Sequence, residues 1–307
     1  MATLESNDIK VSPTVSKLCM LVSAISMGHV GLIISFLDKF NVFTIVLIRG
    51  LFGTLFLTLF LLKSNSLKRD FLKESIKIHW KELLIIGIVN PLTILFYFIN
   101  IFLTGYSFAA FLLYTGPMFF LLFLIFTREE KVSRVNLISF LLAVIGVAII
   151  MEFWTGEAQL LSVFFGILSG LTLGILIFYK KKIYNTRKNS AHQFKTHGDF
   201  DTFLAWWPTL FIVFMFLPIT VYDLMIFTFF DLIIAVILGL FPTALAFLLY
   251  NIGTKNDKGG NIIILSYIEP ITATILNIII LKSISIFTII GGSLIIIANL
   301  IVLKYSK

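Results

Sequence analysis

Ten stretches of almost unbroken apolar residues follow one another along the chain, at 18–37, 42–62, 83–103, 107–126, 135–153, 160–179, 203–221, 232–250, 261–281 and 284–303. Each is close to the roughly 20 residues an α-helix needs to cross the hydrocarbon of a bilayer. The runs are continuously apolar and do not alternate at every second position, so they predict helices and not barrel strands. The expected architecture is an all-α integral membrane protein with ten transmembrane helices.

The pattern also repeats. Tyr114-Thr115-Gly116-Pro117 is matched by Tyr267-Ile268-Glu269-Pro270 at an offset of 153 residues, and Tyr97 and Tyr250 keep the same offset. Two five-helix units are predicted, residues 17–154 and 155–307, after a polar tail of residues 1–16. Five is an odd number, so the second unit enters the bilayer from the side opposite to the first and the repeats are inverted. Inverted repeats are a frequent sign of a secondary transporter working by alternating access.

Composition agrees with this pattern: 59% of residues are hydrophobic and 13% charged, and the mean hydropathy is +1.03. A net charge of +8 would suit nucleic acid, but the basic residues mark one side of a membrane instead. With the N-terminus inside, inner segments carry 21 Lys and Arg and outer loops 2, with Arg49 alone inside a span. The positive-inside rule then places both termini in the cytoplasm of a multi-pass protein, expected in the cell membrane. Cys19 is the single cysteine, which excludes intrachain disulfides and cysteine metal clusters. The first sixteen residues lack the layout of a cleaved signal peptide.

Between the second and third runs, Leu67, Phe71, Leu72, Ile76 and Trp80 share a helical face opposite Lys68, Arg69, Lys73 and Lys77. This predicts a helix lying on the inner leaflet. Residues 180–201, with His192 and His197, read as a polar cytoplasmic connector. Trp80, Trp154, Trp206 and Trp207 map to expected interfaces. Gly166, Gly170 and Gly174 strip one helix face, which serves close packing within the monomer or a homodimer seam.

Ionisable groups inside a span cost about 2.5–3.5 kcal/mol each on insertion scales, so each calls for a reason. Glu269, near the midplane before Pro270, could hold a cation, an ammonium group or a proton beside a carbonyl that the proline cannot serve; a neutral acid bonded between helices is the alternative. Arg49 could clamp a carboxylate or phosphate, or reach outward to headgroups, Glu152 or Glu157. His29 is a candidate proton shuttle or a packed residue. Asn90 could line a cavity or serve the backbone at Pro91. Tyr97, Tyr114, Tyr250 and Tyr267 would line a pathway or pack as rings. Pro91, Pro117, Pro242 and Pro270 are candidate helix kinks.

Together these residues resemble the drug/metabolite transporter superfamily, and within it the ten-helix proteins built from two EamA-type repeats. The resemblance runs from Leu18 to Leu303. It is carried by Arg49-Gly50-Leu51-Phe52, Gly116-Pro117, Glu130 and Gly146 in the first half. In the second half it is carried by Leu240-Phe241-Pro242-Thr243-Ala244-Leu245-Ala246, Glu269-Pro270-Ile271-Thr272-Ala273 and Gly292. Two departures stand out: Lys282 and Ser283 occupy the offset of Glu129 and Glu130, and Gly116 stands opposite Glu269. The resemblance implies spans one to four and six to nine around a central cavity, spans five and ten as outer supports, and rocker-type exchange. Members of this family carry amino acids, other metabolites, nucleotide sugars or drugs.

The resulting expectation is a secondary transporter of a small organic metabolite, amino-acid-like because Arg49 and Glu269 offer partners for a carboxylate and an amine. Coupling to a proton or cation is a further expectation. Export of organic cations or amphiphilic drugs is the alternative within the class. A membrane-embedded enzyme is the alternative outside it, but the chain has no zinc-protease His-Glu-x-x-His, no Gly-x-Ser-x-Gly elbow and no phosphate-binding loop. No cofactor or metal is implied.

Overall fold

The computed structural model describes residues 12–127, 134–150, 160–189, 198–254, 263–281 and 285–305, and every regular element among them is helical. The α-helices are α1 (Pro13–Gly28), α2 (Val30–Ile34), α3 (Val42–Lys63), α4 (Arg69–Thr104), α5 (Tyr106–Leu113), α6 (Gly116–Phe126), α7 (Arg134–Ile150), α8 (Leu160–Asn189), α9 (Phe200–Thr220), α10 (Phe229–Gly239), α11 (Ala246–Thr254), α12 (Ile268–Leu281) and α13 (Ile286–Tyr305). Seven continuous or broken helices are long and apolar enough to cross a membrane. Three shorter apolar helices, Leu141–Ile150, Leu265–Ile280 and Ile286–Ala298, fall on the fifth, ninth and tenth apolar runs.

Lipid-facing side chains explain why a helix such as α3 is apolar all round. Its buried face runs through Gly53, Leu57 and Leu61, one turn apart, while Leu55 and Leu59 remain about half exposed at 53% and 51%. An apolar exterior of this kind is stable only against hydrocarbon. Polar caps close the helix ends: Asn41 Oδ1 accepts from Thr44 N at 2.9 Å, and Thr228 and Asp231 form a reciprocal capping box at the start of α10. Gly105, at φ +89°, makes the turn from α4 into α5, a backbone conformation that a side chain would strain.

In the assembled bundle α4 lies along α8, α3 along α9, α6 along α8, α1 along α11 and α7 along α13. The segment expected on the inner leaflet is instead continuous with the third span in the 36-residue α4, whose non-helical residue is His79. Its apolar face is covered by protein: Phe71 meets Phe203 edge-on at 6.0 Å within a cluster that includes Ile183 and Phe200. The same burial carries α8 ten residues beyond the expected end of its span, to Asn189. Of the expected interfacial tryptophans, Trp80 is exposed, whereas Trp206 and Trp207 sit between helices, donating to Thr58 Oγ1 at 2.8 Å and Leu83 O at 2.9 Å. Glu129, Glu130, Glu152, Trp154, Glu157, His192, His197, Lys282 and Ser283 lie outside the described residues.

The two ends of the bundle differ. At one end Lys39 Nζ pairs with Asp231 Oδ2 at 2.5 Å, and Asn41 Nδ2 donates to Asp223 Oδ2 at 2.6 Å. Thr44 also donates to Asp223, and Phe40 stacks on Phe227 at 4.8 Å. Beneath them a large apolar cluster includes Ile34, Leu37, Ile45, Ile101, Phe216 and Ala235. The other end carries the apolar cluster around Phe71, Ile183 and Phe203 and polar contacts such as Lys182 Nζ to Glu82 Oε1 at 3.1 Å.

The glycine stripe on α8 packs inside the monomer. A Cβ on Gly170 would lie 2.9 Å from Leu112 O and nearer still to Thr115 Oγ1, and one on Gly174 would lie 2.8 Å from Gly116 O. Gly170→Leu should therefore lower the melting temperature in detergent, corresponding to about 1–3 kcal/mol of overpacking. A variant that melts like wild type but changes its oligomeric state would place the stripe in a dimer seam instead.

Candidate functional site

Helix discontinuities meet at the centre. The fourth apolar run breaks at Tyr114-Thr115, between α5 and α6. The ninth passes from a 3₁₀ turn, Ile263–Tyr267, into α12 at the equivalent place. Pro117 and Pro270 are thus the second and third residues of their helices. At these positions the missing N–H costs nothing, because first-turn donors have no intrahelical partner. They begin helices here and do not bend them. The repeat-related rings Tyr114 and Tyr267 pack against each other at 5.2 Å between centroids. Tyr114 OH donates to Glu269 Oε2 at 2.8 Å, and Glu269 lies in the first turn of α12. Gly28 lets α1 approach this turn: a Cβ there would sit 2.6 Å from Thr272 Cβ and 3.0 Å from Glu269 O.

The eighth apolar run is broken differently. Pro242 sits in a π-helical turn, Leu240–Leu245, between α10 and α11. Because Pro242 has no N–H, Leu238 O loses its ordinary α-helical donor. Thr243 Oγ1 donates to that carbonyl at 2.8 Å and accepts from Arg49 Nε at 3.0 Å. Arg49 Nη2 donates to Pro242 O at 3.0 Å. The guanidinium lies 5.5 Å from the ring centroids of both Phe98 and Phe247, within cation–π range. Arg49 is 4% exposed; it turns inward to α10–α11 and does not reach toward headgroups.

These groups border one cavity of about 990 Å³, its open mouth included. Arg49, Asn90, Tyr97, Tyr114, Tyr250 and Glu269 all line it, as does Pro117. Asn90 Nδ2 donates to Pro208 O at 3.3 Å, joining α4 to α9, and does not serve its own helix at Pro91. Two expected residues lie elsewhere. His29 is not among the residues that line the cavity, although Met27 and Val30 are, and its Nδ1 lies 2.7 Å from Ile25 O. The His29 amide bonds Ser26 O, so the ring occupies the carbonyl that an unbroken helix would have paired with that amide. Tyr267 is buried behind Tyr114, and its hydroxyl has no hydrogen-bond partner among the described residues.

The wall also contains residues that hydropathy did not single out: Thr93, Leu173, Pro208, Phe247 and Lys180. Lys180 follows the expected end of its span directly and is hidden in sequence by the basic run that flanks it. The cavity extends to Lys180 at the end of the bundle away from Lys39. This follows from the α10–α11 helix, whose start carries Asp231 against Lys39 and whose end carries Asn251 against Lys180. Among the described residues, no group of three or more His, Cys, Asp and Glu is placed to hold a metal ion.

One solved crystal structure of a protein superposes with a TM-score of 0.59, over 96% of this chain and 98% of that chain, at 16% sequence identity; the likeness is one of fold alone. No curated protein matches in sequence. The model of the EamA-like transporter family matches twice, over residues 15–152 and 160–304. With both copies accounting for most of its length, the chain belongs to the EamA-like transporter family, whose members are membrane proteins that transport small molecules.

Proposed function

We propose that this protein is a secondary transporter of a small organic solute, amino-acid-like in chemistry, working by alternating access between two inverted five-helix repeats, residues 17–154 and 155–307. The observation that carries this reading is the central cavity, which brings Arg49, Glu269 and the tyrosines of both halves to one wall. Further support comes from the equivalent helix breaks at Tyr114 and Tyr267 and from the two family-model matches. Ten crossings, five in each copy, are supported by the three shorter apolar helices, which fall on the fifth, ninth and tenth apolar runs beside the seven long ones. The sealed Lys39 end and the cavity reaching Lys180 fit an inward-facing state if the basic side is cytoplasmic. Glu269 serves as the coupling or cation-binding group.

Counterflow of a labelled metabolite panel into proteoliposomes tests the reading. Saturable exchange of an amino acid is expected, and a protein that exchanges no member of the panel overturns it. A second reading, export of organic cations or amphiphiles, is favoured by one observation: two donor nitrogens of Arg49 are already committed to α10–α11. Exchange of quaternary amines without amino acids would select it.

The orientation has its own test, in the cell membrane with both termini inside. On a background with Cys19 replaced, a cysteine at Asn65 should react with an impermeant maleimide only in inside-out vesicles, and one at Asp38 only in intact cells. Both residues are exposed. Labelling of the Asn65 position in intact cells reverses the topology.

A further inference from the structure

Three consecutive lysines at the end of the sixth span point three ways, because neighbouring positions on a helix are about 100° apart. Lys181 Nζ lies 5.2 Å from the Phe120 ring centroid, and Lys182 Nζ pairs with Glu82 at 3.1 Å. Lys180 instead lines the central cavity. Among the described residues it forms no ion pair, and its hydrogen bond, from Nζ to Asn251 Oδ1 at 3.3 Å, is long. Asn251 is buried, and its Nδ2 is committed to Asp201 O at 2.9 Å, so its oxygen is the atom left for the ammonium. Asp201 is held in turn by Tyr184 OH at 3.0 Å. The wall of α8, α9 and α11 thus fixes a lysine in the cavity with one N–H directed and two to spare.

Lys180 is partly buried, and an ammonium drawn even partly out of bulk water without a counter-ion carries a cost. The cavity supplies none for it: Glu269 is the acid among its lining residues and already accepts from Tyr114. We infer that Lys180 binds an anionic group, a carboxylate or phosphate, of the transported solute, forming an anion subsite at the mouth of the cavity separate from the acid at its centre. This rests on the transporter reading and narrows it to solutes carrying a negative group. The anion could also be a lipid phosphate at the membrane surface, and the experiment separates the two.

Full-length protein in phosphatidylcholine vesicles would be assayed by counterflow with labelled phenylalanine and with phenylethylamine, which differs by the missing carboxylate. Lys180→Met should raise KM for phenylalanine about tenfold, the scale of one charge-assisted contact, and leave phenylethylamine unchanged. Lys180→Arg should restore most of the affinity. If Lys180→Met does not fold, Asn251→Ala should produce a smaller rise in the same direction, and no rise overturns the subsite. Equal loss for both probes, or for neither, means a structural lysine. An effect seen only when phosphatidylglycerol is added assigns the anion to lipid and also overturns it. Wild-type uptake of phenylethylamine alone removes the subsite and leaves transport standing, whereas uptake of neither probe removes the amino-acid-like reading with it.

Discussion

Glu269→Gln should leave the protein folded and able to exchange solute down a gradient, yet abolish accumulation against one. The amide keeps an oxygen that can accept from Tyr114 OH, now 2.8 Å from Glu269 Oε2, so the junction of α5, α6 and α12 retains its packing and its hydrogen bond. What it loses is the ability to take up and release a proton or to neutralise a bound cation. Uptake driven by an imposed gradient should fall at least about tenfold, more than about 1.4 kcal/mol of coupling, and its dependence on external pH should flatten. Counterflow should continue. A Glu269→Gln variant that still concentrates solute with wild-type pH dependence would make Glu269 a structural acid. Tyr114→Phe offers a contrast: it strips the buried carboxyl of its donor, costing roughly 1–3 kcal/mol of stability, without removing the titrating group.

Arg49→Gln should lose both stability and transport. The guanidinium holds the break between α10 and α11 from 194 residues away through Thr243 Oγ1, and it also donates to Pro242 O. Removing it leaves Pro242 O without that donor, at about 1.5–3 kcal/mol for each charge-assisted bond lost, and takes the cation from between Phe98 and Phe247. The melting temperature in detergent should drop, and counterflow should fall by more than about tenfold because α10–α11 borders the cavity. Arg49→Lys should be intermediate, since one ammonium cannot reproduce the fork. If Arg49 acted on solute alone, Arg49→Gln would melt like wild type and show only a raised KM; normal melting with normal transport removes both roles.

By itself the sequence determined the class of this protein: an all-helical membrane chain with two related halves. A bilayer demands long apolar runs and internal hydrogen bonding, and both constraints are written locally in hydropathy. The 153-residue offset was legible for the same reason, because an identity such as Tyr114 and Tyr267 survives as letters in a string. It reappears as a packed, tilted pair of rings. Tertiary structure alone decided where side chains point. In a helix that is apolar on every face, hydropathy carries no azimuth: nothing in it turns Arg49 toward Thr243, leaves His29 off the cavity wall, or separates Lys180 from Lys181 and Lys182. Nor does a proline's presence say whether it bends a helix or begins one. That depends on where the chain breaks, and at Pro117 and Pro270 the break precedes the proline. The glycine stripe was ambiguous for a similar reason, since a face without side chains fits any close partner, and only the packed bundle shows that α5 and α6 fill it.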